Sequence, residues 1–563
     1  MMKKHWDKIA LAVIVLLAIA IRIYHFHDWL YFAMDQGRDA NLIRKAVENG
    51  ISHLPLLGPR AAGTFLRLGP AFYYFQYISA KIFNSTDPAV LAYPDLFFGI
   101  LSVPLFFFFL RLYFQNTISL LMAALFAFNF VAIQYSRFAW NPNSVLFWTL
   151  FCFIGILKLT DETNEKKKYL WTICSATGLA IASQLHFLAL FIVSGTILVY
   201  LVWSRLIFRL GWKKIMLSIF IILLFYVPVI ISDVATKGDN LKQFVWSFFN
   251  KPQEHSLVDN FFTNAISHSQ HYFFILSSYA SKTGTFSLWG GFALICFGLF
   301  YLWKKYSGEK NMAKKNFFRL VVVWFLVSFL VLLPFAFQIL EIKSRFFFSS
   351  FFLPFIFFAF GVEWIFNSRL KKKLAMPLVF LAGATILALN VEAASTWFSG
   401  FSGNQRQSFT MERNLFVKQT AGFTLANIQE LAKYLIFRTT NEKKKIYILG
   451  NMDYRVPVEY FLKREKPPID YGKISLKCRD PEMLYFAITS VSGGCQSIPS
   501  KYFAIFEAVR AKAFGGLMVC ELKLKNDLPE YEKKKKEKKD EESSSEDKKP
   551  APKRTERVKW GDL

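Results

Sequence analysis

Eleven apolar stretches, each close to the ~20 residues that a membrane span requires, leave this chain few folds to choose from. They run Ile9–Tyr24, Asp95–Tyr113, Ile118–Tyr135, Val145–Leu159, Tyr169–His186, Phe187–Trp203, Ile215–Ile231, Phe286–Trp303, Phe318–Phe337, Phe346–Phe366 and Leu374–Val391. Lys3 and Lys4 precede the first stretch, Lys166–Lys168 follow the fourth, and Arg205, Arg209, Lys213 and Lys214 follow the sixth. Lys304, Lys305, Lys310, Lys314 and Lys315 follow the eighth, and Arg369 and Lys371–Lys373 the tenth. With eleven alternating spans all these clusters lie on one side, which the positive-inside rule makes the cytoplasm. The expectation is a multi-pass protein of the cell (plasma) membrane with a cytoplasmic N-terminus and an extracytoplasmic C-terminus. The same rule accounts for the formal net charge of +28, so no nucleic-acid partner is inferred from it. A content of 54% hydrophobic residues with 64 phenylalanines is foreign to soluble globular chains.

The fold class expected is therefore an all-α polytopic membrane protein carrying a small extracytoplasmic α/β domain and a disordered tail. The transmembrane module spans 1–395, with long outside loops at about 25–94 and 232–285; the α/β domain covers 396–527 and the charged tail 528–563. In the α/β domain, Leu425–Phe437 has helical apolar spacing behind Thr424 as N-cap. Ile446–Leu449, Leu484–Val491 and Leu517–Leu522 read as strands. The first span is short, so Arg22 is expected to snorkel to the interface; its basic start and Ala18-Ile19-Ala20 also fit a cleavable signal. Cys152, Cys174 and Cys296 read as buried packing residues. Cys478, Cys495 and Cys520 allow one disulfide, with Cys478–Cys495 the first choice and connectivity not readable.

Charge is expensive in hydrocarbon, and in these spans it gathers toward the outer ends: Arg22, Asp95, Gln184, His186 and Asp233. The outside loops "QYSRFAWNPN" (134–143) and "FQILEIKSRFF" (337–347) add polar groups to the same surface. In the first outside loop, "YFAMDQGRDANLIRKAVENG" (31–50) predicts a helix over Gly37–Asn49 with Asp35 at or near its N-cap. Asp35 can serve as a cap, as a general base kept ionised by the helix N-terminus, or as both. Asp39, one turn on, is a second carboxylate that could face the same site. Phe72, Tyr73, Tyr74, Phe75 and Tyr77 suit a helix lying in the headgroup layer.

Asp35, Arg38 and Ala40 in the first loop, the "GP" and aromatic helix after it, "RFAWNPNSVLFWTL" (137–150), "GLAIASQLHFLAL" (178–190) and "KSRFFFSSFFLPF" (343–355) together resemble the C-type (GT-C) membrane glycosyltransferases. The nearest group is that of the protein O-mannosyltransferases and lipid A aminoarabinose transferases. The resemblance covers roughly 1–395. It implies a donor sugar linked to polyprenyl phosphate and a hydroxyl acceptor on a lipid, glycan or protein outside the membrane. It also implies inversion at the anomeric carbon, with Asp35 as base beside Arg38 and Asp39. The departing phosphate needs cations: Arg345 and Lys343 first, then Arg67 and Arg137. Gln184, His186, Gln36 and Asn141 are assigned to the sugar and acceptor pocket. Gln36, Asn141 and Asn143 stand where the family often carries acids, which leaves a divalent cation undecided. The alternative is a transporter or flippase of lipid-linked sugars, which would place polar groups through the full membrane depth.

Overall fold

The computed structural model describes residues 6–61, 65–249, 256–279, 284–333, 344–368, 372–402, 423–465, 471–474, 480, 482–525 and 559. Helices dominate. In chain order they are α1 (Trp6–Ile23), α2 (Met34–Asn49), α3 (Ala71–Ile82), α4 (Pro88–Leu110), α5 (Asn116–Ala127), α6 (Phe130–Tyr135), α7 (Val145–Asp161), α8 (Glu165–Leu185), α9 (Phe187–Trp203) and α10 (Trp212–Ala235). There follow α11 (Asp239–Phe249), α12 (Leu257–Ser277), α13 (Thr285–Gly308), α14 (Met312–Leu332), α15 (Leu353–Asn367), α16 (Lys372–Ser402), α17 (Leu425–Glu442), α18 (Met452–Glu465) and α19 (Ser500–Phe503).

Each of the eleven apolar stretches falls on helix. Among the described residues, five helices are long and apolar enough to cross a membrane: α4, α10, α13, α14 and Ala375–Phe401 within α16. Others are shorter because the chain breaks them. The third stretch divides into α5 and α6 at Asn129, whose side chain accepts from Ala132 N and whose amide donates to Ile275 O. The tenth opens as a 3-10 segment, Ser344–Ser350, before Pro354 starts α15. Phe220, Phe292 and Phe380 stand exposed on α10, α13 and α16, as side chains do where lipid replaces water. Arg22 does not snorkel. It is fully buried and donates to Ala18 O (3.2 Å) and to Ala127 O (2.7 Å), the carbonyl freed at the end of α5. A carbonyl left open inside the bundle is a stronger lure than the distant interface.

The C-terminal region forms one five-stranded sheet of order β2-β1-β3-β5-β4: β1 (Ile446–Gly450), β2 (Tyr471–Lys473), β3 (Leu484–Ser490), β4 (Phe506–Phe514) and β5 (Leu517–Leu524). β1 is parallel to β2 and β3, whereas β5 is antiparallel to β3 and β4. Three strands and α17, with its Thr424 cap, lie where alternation and spacing predict them. β4 is not visible in the sequence, because seven of its nine residues are exposed and carry no buried alternation. The disulfide joins Cys495 to Cys520, not Cys478 to Cys495; it ties the turn after β3 to β5, a proximity that only strand pairing creates. Cys478 lies outside the described residues. Cys152 is buried as expected, Cys174 partly so, and Cys296 is exposed on α13. The charged tail also lies outside the described residues, apart from Lys559, which bridges Pro55.

The sheet region is seated on the first loop. Leu425 N donates to Leu30 O (3.0 Å) and Ala426 N to Asp28 O (3.2 Å), which threads residues 28–33 beneath α17. Phe32 packs between Tyr460 and Phe461 of α18. α18 lies directly against α2: a Cβ on Gly37 would sit 3.1–3.2 Å from the backbone of Val456 and Pro457.

Candidate active site

α2 starts three residues earlier than its apolar spacing suggests. Its N-cap is Ala33, and Gln36 Oε1 accepts from Ala33 N (3.2 Å). Gln36 is thus buried helix-capping structure, and Asp35 is the second residue of the helix, released from the capping role. Arg38 organises both aspartates. Its Nη1 donates to Asp35 Oδ1 (2.7 Å), while Nε and Nη2 donate to the two oxygens of Asp39 (2.8 and 3.1 Å). Tyr73 OH on α3 adds a further bond to Asp39 (2.9 Å). The aromatic helix α3 therefore turns Phe72 and Tyr73 into the protein, not to the headgroups. Asp39 is 2% exposed and its oxygens are occupied. Asp35 is 38% exposed, and among the described residues its Oδ2 has no partner.

Burial raises the pKa of Asp35, Asp39 raises it further, and the charges of Arg38 and Arg345 only partly offset them. The low pKa expected of a carboxylate at a helix N-terminus is therefore overturned by desolvation. Arg345 faces Asp35 from the 3-10 segment. Its guanidinium lies 5.0 Å from the Trp140 ring and 5.2 Å from the Phe346 ring, and among the described residues it makes no hydrogen bond or ion pair. Trp140 is held in place because its N–H donates to Asp95 Oδ2 (3.0 Å), and it stacks on Tyr135. A buried acid at the start of the second apolar stretch thus fixes the ring that supports the arginine.

The remaining candidates divide. His186 caps α9 through Leu188 N and places its ring 6.1 Å from Phe346, beside Arg345. Asn141 donates to Leu185 O, closing the end of α8. Gln184 donates to Phe225 O (2.9 Å) and fills the space a Cβ on Gly69 would need. Arg67 is tied through its backbone to Asn240 of α11. Arg137 does not suit a phosphate: it is 1% exposed, donates to Arg22 O (2.7 Å) and His25 O (3.3 Å), and lies over the Phe398 ring. Burial, then the charge of Arg22, pushes its pKa down to about 9. Its work is to terminate α1. Lys343 lies outside the described residues. The bond of Tyr73 to Asp39 and the place of Trp140 under Arg345 escape sequence reasoning, since no pattern marks a residue that matters only through a distant partner.

The carboxylates that a divalent cation would use, Asp35 and Asp39, already share a guanidinium. Among the described residues no three His, Cys, Asp or Glu side chains converge. This donor set does not fit a divalent cation, and no step below is routed through one.

The chain has the fold of the C-type membrane glycosyltransferases and resembles their protein O-mannosyltransferase and aminoarabinose transferase group. The family model of dolichyl-phosphate-mannose-protein mannosyltransferase matches residues 9–235. Among solved structures, ArnT from Cupriavidus metallidurans in the apo state is 12% identical with a TM-score of 0.51, covering 92% of this chain and 98% of that one. The same protein bound to undecaprenyl phosphate gives a TM-score of 0.52 at 12% identity and the same coverage. The apo oligosaccharyltransferase of Archaeoglobus fulgidus is 12% identical with a TM-score of 0.51, covering 87% of this chain and 70% of that one. No curated protein matches the sequence. The family match and the fold together indicate a membrane glycosyltransferase.

Proposed function

We propose that this chain moves a sugar from a polyprenyl-phosphate-linked donor to an acceptor hydroxyl, with inversion, and that Asp35 is the general base. One observation carries the reading: among the described residues Asp35 keeps an oxygen without a partner and lies in electrostatic range of Arg345, a cation without a hydrogen bond or ion pair, and both stand outside the apolar stretches. Asp35 Oδ2 takes the acceptor proton as the acceptor oxygen bonds to the anomeric carbon. The bond from that carbon to the phosphate oxygen breaks, and polyprenyl phosphate leaves. Arg345 meets the charge that grows on the departing phosphate. Arg38 anchors the base without carrying its proton, and Asp39 with Tyr73 anchors Arg38. Undecaprenyl phosphate on the similar ArnT supports a lipid phosphate as the leaving group.

The reaction is placed on the extracytoplasmic side of the plasma membrane. The basic clusters support this orientation, as does the Cys495–Cys520 disulfide, a bond that persists in oxidising compartments. Residues 1–395 are taken as the membrane module, 396–527 as an extracytoplasmic domain and 528–563 as a tail.

The test is mass spectrometry of envelope lipids, glycans and surface proteins from cells with the wild-type chain, without it, and with Asp35→Asn. A glycosylated product present only with the wild-type chain is expected. A product made equally by Asp35→Asn would end the base assignment.

A further inference from the structure

The C-terminal region packs α18 directly against α2, the helix that carries Asp35. Gly37 and Pro457 make the close contact between α2 and α18. Asp35 is two residues before that contact on α2, and Asp453 is four residues before it on α18. Both aspartates occupy the first turn of their helices. Tyr31 is on the segment that Leu425 and Ala426 clamp from α17, with its ring edge-on to Phe138 at 5.2 Å. The phenol of Tyr31 is in electrostatic range of Asp35, Asp453 and Tyr454 together.

The Tyr31 phenol is thus in range of both aspartates. Among the described residues the Tyr31 hydroxyl, the Asp453 carboxylate and Asp35 Oδ2 have no hydrogen-bond partner. Asp453 receives only a backbone role, its N–H donating to Asn451 Oδ1 (3.1 Å). The helix dipole favours Asp453 in the first turn of α18, and among the described residues its side-chain oxygens meet no donor or cation, which leaves them open to a ligand.

We infer that Tyr31 and Asp453 form the acceptor-side wall of the site, so that the C-terminal region binds the acceptor while Arg345 holds the donor phosphate. This rests on the transferase reading above. The chemistry of the wall selects its ligand. Two carboxylates and a phenol accept hydrogen bonds from hydroxyl or ammonium groups and repel phosphate or carboxylate. The acceptor is therefore a polyol or a cationic group next to the reactive hydroxyl. The wall keeps anionic headgroups away from a base that would otherwise share Arg345 with them.

Juxtaposition is tested first, on the full chain with Cys152, Cys174, Cys296 and Cys478 replaced by serine. The double variant Tyr31→Cys/Asp453→Cys should be joined by a short bis-maleimide; absence of a cross-link would overturn the wall whatever the activity. Transfer is then followed in membranes, using their own lipid-linked donors and titrated envelope from cells lacking the chain. Asp453→Asn should raise the half-saturating envelope concentration roughly tenfold, with the maximal rate and the donor dependence unchanged. Asp453→Glu should recover most of the loss, and Tyr31→Phe should shift the same parameter in the same direction. Asp453→Lys should be worse than Asp453→Asn; improved transfer by it would overturn the acceptor class. Unchanged half-saturation in Asp453→Asn and Tyr31→Phe would overturn the acceptor role. Full transfer by Asp35→Asn would instead remove the base assignment and leave the cross-link standing.

Discussion

Asp35 and Asp39 lie one helical turn apart and share a single guanidinium, that of Arg38, yet among the described residues Asp39 has both oxygens occupied and Asp35 keeps one free. Tyr73 and the second Arg38 nitrogen saturate Asp39, so the two acids have opposite duties.

Asp35→Asn keeps the shape and the Arg38 contact but loses the proton acceptor. Transfer should fall by about 10²–10⁴-fold, the usual worth of a general base. Thermal unfolding of the detergent-purified protein should be unchanged within a degree or two. Retention of more than a tenth of the rate would remove Asp35 from the chemistry.

Arg38 and Arg345 lower the pKa of Asp35, against burial that raises it. The base works only when ionised, so activity should rise with pH through a pKa above the ~3.9 of an ordinary aspartate. Removing the nearer cation in Arg38→Met should move that acid limb to higher pH. A limb that stays in place, or moves down, would show that another group governs it.

Arg345→Ala should raise the donor KM by roughly 10–100-fold, the loss of a charge-assisted hydrogen bond to phosphate. Arg345→Lys should recover part of it, since charge returns without the planar fork. Donor titration at saturating acceptor decides the matter; an unchanged KM in Arg345→Ala would assign the phosphate to another cation.

Arg137 provides the contrast. Its guanidinium closes the C-terminal end of α1 through Arg22 O and His25 O. Arg137→Met should cost about 2–4 kcal/mol of stability by removing the donor to Arg22 O, and protein that does fold should have the wild-type donor KM. A donor defect without a stability defect would return Arg137 to the phosphate site.

Asp39→Asn and Tyr73→Phe test the scaffold. Each removes a hydrogen bond from the buried end of the network, worth about 1–2 kcal/mol. Both should lower the unfolding temperature, and Asp39→Asn should also lower the rate by loosening Arg38. Stability equal to wild type in both variants would argue that the network does not hold α2.

Much was legible without coordinates, and the reason is physical. A chain entering hydrocarbon must satisfy its backbone within helices, so the eleven apolar stretches and the positions of Asp35 and Arg345 at their edges follow from local pattern. Local pattern stops where partners are distant in sequence. Nothing in "QGRDA" says that Gln36 caps the helix, that Tyr73 occupies Asp39, or that α18 places Asp453 beside Tyr31. Arg22 reads as an interfacial cation and Arg137 as a phosphate ligand until the fold shows their guanidinium groups donating to Ala127 O and Arg22 O. The sequence by itself determined the apolar helices, because burial of backbone is costed residue by residue. Only the tertiary structure decided which of the polar residues are spent on one another and which remain free to act, because hydrogen-bond partners across 30 to 400 residues of chain are chosen by packing.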